Sequence, residues 1–275
     1  WPDGGWVYWS VKAMASAAHG NNRPIVGAEA FTAGKLERWQ AHPYSLKAVG
    51  DRAFCDGVNR MIFHRYAMQP WPDRRPGMMM GRWGLHYERT QTWWEQSTAW
   101  HEYLARCQYM LRQGLFVADV LDLQPEEPMA RCRPLALSGY DYDAYSPSLF
   151  MKDVSVQDGK LTLPHGMQYR LLLLPDVKLM TLPMLRKIKD LVEAGAVALG
   201  NPPQQVPGLT DYPKADAELK KLADALWGTD ETVKQRAVGK GRVLRGMKAE
   251  EVLARLGIAP DFTADRSLRW IHRTA

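Results

Sequence analysis

Residues 23–31 read "RPIVGAEAF", and the fold turns on how this stretch is read. The apolar run Ile25-Val26-Gly27-Ala28 has the length of a short strand, and it ends on a carboxylate, Glu29. A carboxylate at the end of a buried run needs a partner or a task. Residues 44–56, "YSLKAVGDRAFCD", follow as a helix with Leu46, Val49, Ala53 and Phe54 on one face. A second strand, "RMIFHRYAM", spans 60–68, and a long helix is expected over 92–113, stopped by Gly114. With a helix over 6–18 in front, the order is helix, strand, helix, strand, helix. Such alternation implies parallel strands joined by crossover helices. In sheets of that kind ligands sit at the carboxyl ends of the strands, where both Glu29 and His64 fall.

Composition narrows the classes. The chain has 275 residues, 46% hydrophobic and 24% charged, an ordinary globular balance that excludes a disordered chain. It has no apolar run of about eighteen residues, so no transmembrane helix is expected. The net charge is +6, but the basic residues are scattered (Arg74-Arg75, Arg186-Lys187, Lys220-Lys221), which argues against a nucleic-acid surface. Cys55, Cys107 and Cys132 have no CxxC spacing and read as buried thiols. The sequence opens on Trp1-Pro2 and closes as if entering a strand, so it reads as a piece of a longer protein cut at both ends. Nine of the 11 Trp residues fall in the first 100 positions, several in Pro/Gly-rich stretches. Aromatic faces in loops suit the apolar C–H faces of sugar rings.

From Leu115 the pattern becomes a second α/β domain of flavodoxin-like kind. Strands are expected at "LFVADVLDL", "YRLLLLPD" and "AVALG", hairpins at 150–163 and around "QRAVGKGRVLRG", and helices at "TLPMLRKIKDLVEAG", "ADAELKKLADALWG" and "KAEEVLARLG". Residues from 257 on read as the start of something else. "GKGRVLRG" lacks the third glycine of a dinucleotide fingerprint, and "GNPP" lacks a phosphate-loop Lys. None of the cysteines sits on a nucleophile elbow, so this domain is read as non-catalytic.

The chemistry therefore concentrates in the first region. Glu29 is the candidate catalytic residue. His64 and Tyr66 lie toward the carboxyl end of the second strand, and "HYERTQTWW" gathers His86, Arg89, Trp93 and Trp94 around a loop-to-helix junction, so these six are candidate sugar-binding residues. Glu88 and Glu95 are weaker acidic candidates. No HExxH or comparable spacing marks a metal site.

The segments "SAAHGNNRPIVGAEAFT" (16–32), "HPYSLKAVGDRAFCDGVNRMIFHRYAMQPW" (42–71) and "GLHYERTQTWWEQSTAWHEYLARCQYMLRQGLFVADVL" (84–121) together resemble glycoside hydrolase family 106, the α-L-rhamnosidases. "GYDYDAYSP" (139–147) and "GKLTLPHGMQYRLLLLPD" (159–176) resemble the domain that follows the barrel in that family. The resemblance implies an α/β fold: the C-terminal part of a (β/α)8 TIM barrel over 1–114, then a flavodoxin-like (class I glutamine amidotransferase-like) α/β domain over 115–256. Residues 257–275 would begin a further, β-rich domain. By analogy with family 42 β-galactosidases, Glu29 would end strand seven, where such barrels carry a catalytic carboxylate. The resemblance also implies inversion by two carboxylates, calcium near the sugar, and a rhamnose-containing glycan or glycoside as partner. It points as well to a periplasmic or secreted place in a bacterium. One carboxylate would lie outside this piece, leaving the isolated chain inactive. A β-galactosidase-like retaining enzyme and a non-catalytic carbohydrate-binding module are the alternatives.

Overall fold

The computed structural model describes residues 8–32, 39–75, 77–79, 85–127 and 134–274. Two compact units divide the chain: Trp1–Ala18, Arg23–Gly114 and Arg269–Ala275 form the first, His19–Asn22 and Leu115–Leu268 the second. Trp1, Trp6, Trp83 and Cys132 lie outside the described residues.

The first unit begins with helix α1 (Tyr8–Gly20), whose last residues belong to the second unit. Strand β1 (Gly27–Ala30) pairs in parallel with β2 (Arg60–Phe63), Glu29 opposite Ile62 and Ala30 opposite Phe63. Helix α2 (Pro43–Cys55) crosses between them. It starts where Pro43 supplies a preset φ at the first turn and His42 caps it. His42 Nδ1 accepts from Ser45 N, and Ser45 Oγ accepts from His42 N, both at 3.1 Å.

The expected long helix is split. Trp94–Gln96 form one 3₁₀ turn, and α3 runs only over Thr98–Met110. Ser97 Oγ donates to Trp94 O at 2.6 Å, while Trp93 and Trp94 are held by packing against the core, so the chain turns before the helix begins. The second strand is also shorter than expected. After His64 the backbone leaves β1 and bonds to a later segment: Leu85 N donates to His64 O (2.9 Å) and Arg65 N to Leu85 O (3.2 Å). Period-two alternation puts Ala28, Ala30, Met61 and Phe63 on one sheet face, packed with Leu46, Phe54, Trp100 and Leu104 of α2 and α3. Cys55 and Cys107 are free thiols and half-buried rather than buried.

In the second unit β3 (Val120–Leu123) and β4 (Tyr142–Tyr145) are followed by α4 (Pro147–Asp153). A hairpin was expected over all of 150–163, but Ser146 caps a helix started by Pro147, so the hairpin begins later. It is formed by β5 (Ser155–Gln157) and β6 (Lys160–Thr162), joined by Asp158-Gly159 with both residues at positive φ. β7 (Gln168–Tyr169) adds a third antiparallel strand. Then come β8 (Leu171–Leu173), α5 (Leu182–Ala194), β9 (Val197–Leu199), α6 (Lys214–Trp227), β10 (Gln235–Val238), β11 (Gly241–Leu244) and α7 (Ala249–Arg255).

The main sheet has the order β10-β11-β9-β8-β3-β4, with only β10 antiparallel to its neighbour. Val120, Leu171, Val197, Leu199 and Leu244 pack on one face with Val252 and Leu253 of α7. Leu121, Leu172, Ala198 and Val243 alternate to the other, all nearly fully buried. Burial on both faces accounts for the unbroken apolar texture of "LLLL" at 171–174. Residues 257–268, expected to begin a further domain, group with this unit: Asp261 N donates to Gly139 O at 2.9 Å and Tyr140 Oη to Ile258 O at 2.9 Å.

Candidate active site

Because α2 and α3 bury one face of the β1–β2 pair, Gly27, Glu29, Arg60 and Ile62 occupy the opposite face, and all four are exposed. Glu29 was expected in a buried run. The strand is buried on alternate residues only, and Glu29 takes the open side. Thr32 Oγ1 donates to Glu29 Oε1 at 2.7 Å, which orients the carboxylate from the loop just past the strand. Ile62, its partner in register, is 55% exposed, an uncovered apolar side chain beside an acid.

His64 lies at the carboxyl end of the neighbouring strand, its N–H donating to Ala30 O at 3.0 Å. Its Nδ1 is buried and has no hydrogen-bond partner among the described residues. The His64–Arg65 peptide is cis. Tyr66 follows, 64% exposed, with its ring 6.2 Å from that of Trp94. The structure thus brings Glu29 and His64 to adjacent strand ends, and Tyr66 to Trp94.

The other expected residues are engaged within the fold. His86 is buried, stacked on the Trp39 indole. Trp93 donates from Nε1 to Ala41 O (3.2 Å) and meets Tyr87 edge-on. The Arg89 guanidinium donates to Gln69 O. Glu88 is buried and accepts from Thr90 N (2.7 Å) and the Thr90 hydroxyl, closing a turn. Glu95 is exposed on the 3₁₀ turn.

Sequence reasoning missed Tyr87 and His101. Tyr87 Oη bonds to His101 Nε2 at the centre of a cluster in which Phe63 stacks on Tyr87 at 4.4 Å and Trp94 meets it edge-on. Burial pushes the Tyr87 phenol well above its ordinary range, so it stays neutral. The pairing spans a turn and has no motif; only the aromatic density of 86–101 hinted at it. In the second unit, burial raises the Asp122 carboxyl to about 7, against the opposing effect of a 2.5 Å hydrogen bond from Gln124 Nε2.

These features define a mixed α/β protein with a parallel-rich sheet, its acidic, imidazole and aromatic side chains gathered where parallel strands end. The family model described as alpha-L-rhamnosidase, that of glycoside hydrolase family 106, matches residues 7–275, and the chain belongs to this family. It is 39% identical, over 99% of its length, to a Formosa agariphila protein named "Putative beta-glucuronidase", of which it covers 23%. It also superposes on the structure of a rhamnosidase from Novosphingobium sp. PP1Y with a TM-score of 0.89 at 31% identity, covering 98% of this chain and 26% of that one. The chain thus spans about a quarter of the length of each of these relatives.

Proposed function

We propose that the chain is part of a glycosidase that hydrolyses terminal α-L-rhamnosides, with Glu29 as one of its two catalytic carboxyl groups. The observation that carries this reading is the place of Glu29: the carboxyl end of a parallel strand, on the sheet face turned away from the helices, in a member of family 106. In the (β/α)8 reading of residues 1–114 that face lines the barrel, where inward side chains at strand ends meet substrate. Exposed Ile62 and Glu29 fit a face that further strands would cover. The strand order of the second unit supports a flavodoxin-like reading of 115–256. Taken in chain order along the parallel strands, it runs 2-1-3-4-5.

Inverting hydrolysis needs two carboxyl groups about 6.5–9.5 Å apart. One gives its proton to the glycosidic oxygen as the bond to the anomeric carbon breaks. The other takes a proton from the water that attacks that carbon from the opposite side. Glu29 serves one of these roles, and the second group comes from another segment of the full-length protein. His64, Tyr66 and Trp94 would meet the sugar, the imidazole through its hydroxyls and the rings through its C–H face. Calcium enters only through the family resemblance. Among the described residues no group of three His, Cys, Asp or Glu side chains is placed to hold a metal ion. A periplasmic or secreted location fits a polysaccharide-directed hydrolase; no described helix is long and apolar enough to cross a membrane.

The name of the Formosa relative favours a second reading, a glycuronide substrate. Assaying the full-length protein on aryl α-L-rhamnoside, β-D-glucuronide and β-D-galactoside separates the readings. Turnover of the rhamnoside alone is expected. Turnover of the glucuronide alone would replace this substrate, and sugar binding without any turnover would leave a binding module. The isolated 275-residue chain is expected to be inactive, and its hydrolysis of the rhamnoside would refute the need for a second carboxylate from elsewhere.

A further inference from the structure

Gln69 is a buried amide in the loop after β2. Its Nε2 donates to Met78 O (3.0 Å) and its Oε1 accepts from Met78 N (2.8 Å), so one side chain makes both bonds of an antiparallel bridge. The Arg89 guanidinium donates to the Gln69 backbone carbonyl oxygen and so holds the same residue from its main chain. Gly77 stands at φ +78°, and a β-carbon there would collide with Gln69 Oε1, so the clasp needs glycine at that place. Inside the clasped loop Trp71 is 52% exposed, with the Arg74 guanidinium 5.6 Å from its ring centroid. Tyr66, on the other aromatic pair of the site, lies only three residues before Gln69. Ordering a loop costs conformational entropy at every residue it fixes. A satisfied buried amide offsets part of that cost before any ligand arrives, as in a pre-organised binding loop.

We propose that Gln69 and Arg89 are positioning residues that hold Trp71 as a stacking platform for a second sugar unit, beyond the one cleaved at Glu29. The exposed indole offers an apolar face to pyranose C–H groups, and Arg74 offers donors to the hydroxyls around it. The substrate class is then an oligosaccharide rather than a simple glycoside, and the inference rests on the glycosidase reading above.

The test compares kcat/KM of the full-length protein for a rhamnose-ended oligosaccharide and for an aryl α-L-rhamnoside. In Trp71→Ala and Gln69→Leu the ratio of the two is expected to fall about tenfold, a preference loss of about 1.4 kcal/mol. An unchanged ratio, with both substrates affected alike, would mean a merely structural role and overturn the proposal. Amide exchange at Met78 should speed up in Gln69→Leu and Gly77→Ala but not in Trp71→Ala; unchanged exchange in the first two would remove the clasp. If the wild type turns over neither substrate, the hydrolase reading fails. Calorimetric binding of the oligosaccharide then decides this one: weaker binding by Trp71→Ala supports it, and equal binding overturns it.

Discussion

Glu29 owes its place to alternation. Ala28 and Ala30 turn to the helices, so Glu29 turns to the open face, where the Thr32 hydroxyl holds it. If it is a catalytic acid or base, Glu29→Gln should cut kcat of the full-length protein by about 10²–10⁴-fold with sugar binding largely retained. Calorimetry beside steady-state kinetics checks both halves, and retention of full turnover would move the catalytic role elsewhere. His86, Arg89 and Trp93 are equivalent to Tyr66 and Trp94 in the sequence, since each is a sugar-compatible side chain near a strand end or a loop-to-helix junction. Their separation is a matter of burial and partners: His86 lies under Trp39, and Arg89 is spent on a backbone carbonyl. Spacing along an irregular loop carries no period from which such partners follow.

At the scale of elements, local signals worked where a cap or turn residue forces geometry. Pro43 and Pro183 start helices, Gly195 ends one, and Asp158-Gly159 turns a hairpin. They failed where tertiary contacts intervene, as when packing of Trp93 and Trp94 delays α3 to Thr98. Helix α5 offers a test. Thr181 Oγ1 accepts from Met184 N (3.3 Å) and donates to Glu126 Oε1 (2.7 Å), while Thr181 N donates to Glu126 Oε2 (2.8 Å). Thr181→Ala removes the cap and half of the Glu126 anchor. A loss of about 1–2 kcal/mol in urea denaturation is expected; a change below a few tenths would mean that water replaces the cap at no cost.

At the scale of the molecule, the second unit depends on buried polar groups. Asp143 is fully buried on β4. Its Oδ1 accepts from His19 Nδ1 (2.9 Å) and its Oδ2 from Tyr169 Oη (2.8 Å), while Tyr145 and Tyr169 hydroxyls meet at 2.7 Å. Asp143→Ala strands both donors and is expected to cost about 3–5 kcal/mol, read from the denaturation midpoint. Asp122 makes stability depend on pH. Its carboxyl sits at about 7 in the fold, above the unfolded value, so the folded state binds the extra proton between the two. Its contribution is fully present below the ordinary carboxylate range and lost as pH rises through about 7. Asp122→Asn should flatten the stability profile between about pH 4 and 7. An equally steep profile in the variant would assign the dependence to other groups.

What the sequence by itself determined is the alternation of strands and helices, the change of texture at Leu115, the family, and the strand end that carries Glu29. These follow from periodicity, turn chemistry and the order of long segments, all of which are local or linear. Only the tertiary structure decided which loop side chains face solvent, that Gln69 clasps Met78, and that His19, Asp143, Tyr145 and Tyr169 form one network. Such contacts join residues from nine to 124 positions apart. Their energy comes from desolvation and hydrogen-bond geometry, which exist only once the chain has closed around them.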